Sequence, residues 1–207
     1  VTPGLVDVHT HLREPGLEAK EDIVTGTMAA AAGGVTTIAC MPNTKPVVDS
    51  SIMVSGIKDR AAREGYVHGE VVGAITKGLE GKELAEMGDM AQKGAMAFSD
   101  DGHYVSSTRT FTLSAEYISA FDKLLISHAI DHELSSDGYM HEGVVSARIG
   151  VPGIPALAED VAVARDILVA EYTGAHVHIA HVASKGSIEI IRQAKTRGIT
   201  GTREATS

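Results

Sequence analysis

The chain has 207 residues, 27 acidic against 18 basic side chains and a net charge of -9, a balance that repels rather than gathers a polyanion such as nucleic acid. Its single cysteine, Cys40, rules out an intrachain disulfide, and with no second cysteine there is no thiolate pair for a structural zinc. The longest small apolar run, from Met28 to Val35, falls far short of the roughly 20 residues a membrane span requires and is interrupted by Gly33 and Gly34. Nothing at the N-terminus resembles a signal peptide, which points to a cytoplasmic location. Glycine, with 22 residues, and histidine, with 10, are the counts that call for an explanation.

Short β-branched or apolar runs alternate with longer amphipathic stretches along the chain. The runs at Leu5–His9, Val35–Met41, Val67–Ala74, Ala95–Phe98, Leu124–His128, Val177–His181 and Ile199–Thr202 read as strands. Helical patterns fall between them at Ile23–Ala32, Ile52–Ala62, Lys82–Gln92, Thr112–Phe121, Ala156–Tyr172 and Lys185–Arg197. Several have punctuated ends: Gly33, Gly65, Gly174 and Gly198 follow helices, and Pro155 opens one. The first five strand starts are spaced by 30, 32, 28 and 29 residues, close to the roughly 31 obtained when a barrel of about 250 residues is divided by eight. The next interval is longer and holds an insertion, Ala129–Pro155, read as a loop at the catalytic end. The pattern predicts an α/β fold, a TIM-like (β/α)8 barrel present as about six βα units plus a seventh strand. Residues 1–207 are expected to form one hydrolase barrel domain truncated at both ends. A doubly wound sheet would place a glycine-rich phosphate turn after the first strand, where this chain has His9, Thr10 and His11.

Asp7, His9 and His11 alternate along the first strand, so all three are expected on one face. Two imidazoles at a strand end can share one divalent metal. Arg13 and the turn Glu14-Pro15-Gly16 follow at once, placing the pair where barrel sites form. Polar groups recur at the same end of later units: Asn43 after strand two, Asp100 and Asp101 after strand four, His128 at the end of strand five and His181 at the end of strand six. The set points to a two-metal site in which a strand-four carboxylate bridges.

The segment PGLVDVHTHLREPG, from Pro3 to Gly16, together with MPNT, FSDDG, the strand-five His and HVAS around His181, resembles dihydroorotase of the amidohydrolase superfamily over essentially the whole chain. The resemblance implies two zinc ions, one held by His9, His11 and Asp101 and the other by Asp101, His128 and His181. Many relatives bridge the metals with a carbamylated lysine; Asp101 at that position matches one dihydroorotase class and argues against a hydantoinase. His11, Arg13 and Asn43 are implied as substrate-binding residues, Arg13 and Asn43 at a carboxylate that suits a guanidinium fork and an amide donor. The implied reaction is the interconversion of dihydroorotate and N-carbamoyl-aspartate in pyrimidine biosynthesis. The implied state is a homo-oligomer, with aspartate transcarbamoylase as a candidate partner. The strand-eight Asp that serves the family as metal ligand and proton shuttle has no counterpart here, so no catalytic proton donor is assigned within the chain. Ala129 and Ile130 stand where relatives often carry Cys-Glu after the strand-five His. Two alternatives accompany this reading: another cyclic amidohydrolase, of allantoinase or hydantoinase type, and a catalytically silent homologue that serves as a scaffold for aspartate transcarbamoylase.

Other histidines carry a blander reading. His176 and His178 imitate the His9 and His11 spacing, but strand parity from an inward-facing His181 sends His178 to the helix layer and Val177 and Ile179 inward. His68, His132 and His141 read as structural or exposed, with His103, beside Asp101, the one raised above background. Cys40 reads as a small core residue, and Glu142 and Glu159 as solvated charges by default, with support of the site's ligands from behind as the alternative.

Overall fold

A computed structural model describes residues 1–205; residues 206–207 lie outside the described residues. The βα alternation is present throughout. Strand β1 (Leu5–Thr10) leads to helix α1 (Ile23–Ala32), β2 (Val35–Cys40) to α2 (Ser51–Glu64), and β3 (His68–Gly73) through a short 3-10 turn to α3 (Met87–Gln92). Then come β4 (Ala95–Ser99), α4 (Thr108–Ser119) and β5 (Leu124–Ser127). The insertion is not a plain loop: it folds into α5 (His132–Ser135), β6 (Met140–His141), α6 (Val144–Ile149) and β7 (Gly153–Ile154), with β6 and β7 pairing parallel. Helix α7 (Ala156–Thr173), β8 (Val177–Ile179), α8 (Lys185–Thr196) and β9 (Gly201–Arg203) complete the description.

Seven strands form one all-parallel sheet in the order β1-β2-β3-β4-β5-β8-β9, the incomplete (β/α)8 barrel that the spacing predicts. Sequential parallel strands need helical crossovers, and the helices supply them. Helix α3 is shorter than the predicted Lys82–Gln92 span, because Thr76 and Leu84 form an isolated bridge that holds the chain extended first. Helix starts follow local chemistry. The Asp22 carboxylate accepts the Thr25 amide at 2.7 Å ahead of α1, and the Ser107 and Ser184 hydroxyls cap α4 and α8 in the same way at 3.1 and 2.9 Å. No helix of the described residues is long and apolar enough to cross a membrane.

The two sheet faces divide the apolar residues by size. Ile38, Cys40, Val71, Phe98, Leu125, Val177 and Ile179 point outward, into a core shared with helical Ile23, Ile57, Phe111, Ile167 and Ile191. Ala39, Met41, Val72, Ala97, Ile126 and Ala180 line the inside. Each fully buried Ile or Phe contributes about 1.5–3 kcal/mol, so the outer layer carries most of the stabilisation while the narrow interior takes mainly small side chains. The buried thiol of Cys40 is pushed up to about 12 by desolvation, in keeping with a core role.

This division corrects one expectation. Val177 and Ile179 belong to the outer core, so His178 and Ala180 face the barrel interior and not the helix layer. His181 reaches the same interior because its φ is +37°, which breaks the two-residue alternation between it and the strand.

Candidate metal centre

The site residues come from loops and strand ends that the sheet brings to one rim. His9 lies on β1 and His11 just past it; Asn43 follows β2, Asp101 β4, His128 β5 and His181 β8. The loop carrying Arg13 is drawn toward the loop after β2, where Lys45 donates its amide to Pro15 at 2.9 Å. Gly16 is required at that crossing: its φ is +88°, and a Cβ there would lie 1.7 Å from the Lys45 carbonyl oxygen.

Asp101, 4% exposed, is the centre of the arrangement. Its Oδ1 lies 3.1 Å from His9 Nε2 and 3.8 Å from His128 Nδ1, and its Oδ2 lies 3.4 Å from His11 Nε2. His128 Nδ1 in turn stands 2.8 Å from His181 Nε2. Two groups with potential metal-ligating atoms within 4.8 Å of one another result, His9-His11-Asp101 and Asp101-His128-His181. The donors fit a borderline divalent cation. Ligand bonds of about 2.0–2.1 Å in a tetrahedron put neighbouring donor atoms about 3.3 Å apart, and the contacts of His9 and His11 with the Asp101 carboxylate, 3.1 and 3.4 Å, are close to that length. The five predicted ligand residues therefore share one neighbourhood.

Asn43 sits inside this array. Its Oδ1 is 2.9 Å from His11 Nδ1 and its Nδ2 donates to Asp101 Oδ2 at 3.1 Å, so it ties the β1 end to the β4 end. Arg13 has a φ of +59° and lies near enough for its charge to lower the His11 pKa, below the larger effect of burial.

The electrostatics differ around the ring of imidazoles. Burial lowers the His9 pKa, but hydrogen bonds to Asp101 and Glu204 outweigh it and lift the group to about 9. At His128 burial and the neighbouring His181 outweigh the pull of the Asp101 charge and hold the group down to about 4. Burial would raise Asp101, yet the facing imidazoles, His9 first, hold it below the usual carboxylate range.

Residues behind the rim hold these groups in place, and several escape a sequence reading. Asp100 turns away from the site and accepts the Ile75 and Thr76 amides at 2.8 and 2.9 Å and the Thr76 hydroxyl. Its adjacency to Asp101 shows in the sequence, but the opposite direction of the two carboxylates does not. Asp166, fully buried on α7, accepts from Ser127, the residue before His128, at 2.5 Å and pairs with Arg165 at 2.6 Å. Glu159, read from sequence as a solvated charge, accepts the Ala183 and Ser184 amides at 3.1 and 3.0 Å and steadies the turn after His181. Glu204, two residues past the last predicted strand and unassigned from sequence, places Oε1 2.5 Å from His9 Nδ1. Among the remaining histidines, His103, His68 and His141 are exposed, while His132 Nε2 accepts the Tyr104 amide at 3.0 Å.

Comparison with known proteins agrees with the geometry. The family model described as Dihydro-orotase-like matches residues 1–187. The chain is 54% identical over 204 residues to the dihydroorotase of Pelotomaculum thermopropionicum, covering 99% of this chain and 48% of the relative. It is likewise 54% identical over 199 residues to the dihydroorotase of Geobacter sulfurreducens, covering 96% and 47%. The chain thus spans about half the length of the curated relatives it matches. Among solved structures, L-hydantoinase (dihydropyrimidinase) from Arthrobacter aurescens superposes with a TM-score of 0.80 over 98% of this chain and 47% of that one, at 22% identity, a likeness of fold. With the family model matched over most of its length and relatives at about half identity along nearly all of it, the chain belongs to the dihydroorotase-like family.

Proposed function

We propose that this chain forms the metal-binding part of the barrel of a cytoplasmic, zinc-dependent dihydroorotase that interconverts dihydroorotate and N-carbamoyl-aspartate in pyrimidine biosynthesis. The observation that carries the proposal is a single buried carboxylate, Asp101, shared between two imidazole pairs that arrive from opposite parts of the sheet. In the forward direction water adds across the ring amide: the C–N bond breaks, oxygen goes to the carbonyl carbon and a proton to the ring nitrogen. A pair of bound divalent ions supplies an acidified water and a polarised carbonyl at neutral pH.

The chain's own residues set up this chemistry. Asp101 would serve both ions, His9 and His11 would hold one, and His128 and His181 the other. Asn43, bonded to both His11 and Asp101, keeps those two ligands in register. Arg13, whose charge reaches His11, and Asn43 stand beside the ligands to receive the substrate carboxylate, with His11 at the substrate's edge. The family resemblance gives the proton for the ring nitrogen to a strand-eight Asp, and no residue of this chain is assigned that role.

The test measures zinc content and dihydroorotate hydrolysis on the intact protein. Two zinc ions per chain and turnover that is lost on chelation and restored by zinc are expected. An intact protein that is folded, metal-free and inactive would replace this proposal with a scaffold role.

A further inference from the structure

The barrel interior holds a polar cluster below the metal ligands. The β8–β9 register pairs His178 with Thr202, and Thr202 and Glu204, two residues apart, share the inner side with it. His178 Nδ1 lies 2.7 Å from Thr202 Oγ1. Glu204 Oε2 approaches His178 Nε2 at 3.5 Å, an electrostatic contact longer than a good hydrogen bond, and its Oε1 reaches His9 Nδ1 at 2.5 Å. The Glu204 backbone is locked to β8 on both sides, its amide donating to Ile179 at 3.2 Å and its carbonyl accepting from Val182 at 2.9 Å. The carboxylate is therefore held from two directions, and its free reach is toward His9.

We propose that Glu204 is a positioning residue for the metal centre: its carboxylate accepts a hydrogen bond from the Nδ1–H of His9, so that the lone pair sits on Nε2, the nitrogen that would share a cation with His11 and Asp101. An imidazole that ligates a metal through one nitrogen is fixed in tautomer and ring orientation by a carboxylate on the other, which also makes it a stronger donor. His9 Nε2 already faces Asp101 at 3.1 Å, so the ring needs no rotation to ligate. Among the described residues nothing comparable braces the second pair, where His128 and His181 face each other directly at 2.8 Å. Glu204 would thus act on one of the two metal sites and not on the other.

This inference rests on the metal-centre reading, and the experiment separates the two. Zinc affinity is measured on the intact protein by competition with a chromophoric chelator, for wild type, Glu204→Ala and Glu204→Gln, with the cobalt-substituted visible spectrum as a second readout. In Glu204→Ala one zinc is expected to bind about 10–100-fold more weakly while the other keeps its affinity, with an altered cobalt spectrum. Glu204→Gln, which keeps an acceptor but not the charge, is expected to weaken the same zinc several-fold. Two zinc ions held at wild-type affinity by Glu204→Ala would overturn the role of Glu204 and leave the metal centre standing. If circular dichroism shows Glu204→Ala unfolded, Glu204→Gln decides, and wild-type affinity there overturns the inference. A wild-type protein that binds no zinc overturns both.

Discussion

The two halves of the site use the same residue type in opposite electrostatic surroundings. On the β1 side, His9 lies between two carboxylates, Asp101 at 3.1 Å and Glu204 at 2.5 Å, and its pKa is raised to about 9. On the β5–β8 side, His128 meets His181 at 2.8 Å and Asp101 only at 3.8 Å, and its pKa is lowered to about 4. Burial lowers both imidazoles, and only at His9 do two hydrogen-bonded carboxylates outweigh it, so His9 holds a proton where His128 excludes it. A bound cation would thus displace a proton at His9 and meet a ready neutral ligand at His128.

The comparison can be broken at its shared member. Asp101→Ala is expected to abolish binding of both zinc ions and to reduce dihydroorotate hydrolysis by about a thousandfold or more, corresponding to several kcal/mol of lost stabilisation; metal analysis and a steady-state assay check this. Removing a ligand from one half should be selective. His128→Ala is expected to leave one zinc per chain, retained by His9, His11 and Asp101, and a stoichiometry of zero would show that the halves do not bind independently.

The support behind the second half can be tested through stability. Asp166→Ala strips the partner from Arg165 and the acceptor from Ser127 in a fully buried position, and an unfolding free energy lower by about 3–5 kcal/mol is expected in denaturant titration. An unchanged midpoint would show that β5 is anchored without it.

The smallest effect sharpens the electrostatic contrast directly. In zinc-free protein, His128 binds its proton less readily folded than unfolded, so its contribution to stability is present above about pH 6.5 and is lost as the pH falls toward about 4. His9 is the reverse: its contribution is present below about pH 6.5 and is lost as the pH rises through about 9. His128→Gln should flatten the acid side of a plot of melting temperature against pH, and His9→Gln the alkaline side. Identical profiles for the two variants would contradict the contrast.

How much of the site is legible in sequence depends on the kind of signal each residue leaves. His9, His11, Asp101, His128 and His181 each stand at or just past the end of an apolar run, and strand ends of a barrel converge whatever the details of packing. Glu204 also stands just past a predicted strand, but its partner is decided only by β9 lying beside β8 and by a ring on β1 that is 195 residues away. His178 is misread because parity assumes an unbroken strand, whereas a left-handed φ at His181 lets both residues face the interior. Helix α3 starts late for a related reason: its amphipathic pattern extends upstream, but the bridge between Thr76 and Leu84 takes that backbone first.

The amino-acid order by itself determined the βα period, the positions of the metal-type side chains and the family they belong to, because hydrophobic spacing and short motifs are local properties of a chain. Only the tertiary structure decided which nitrogen of each imidazole faces a carboxylate, which acids turn toward the site and which brace it, and how two chemically identical histidines come to differ in proton affinity. Those outcomes depend on distances between residues far apart in the chain and on the burial that strengthens charge interactions, neither of which is written along the sequence.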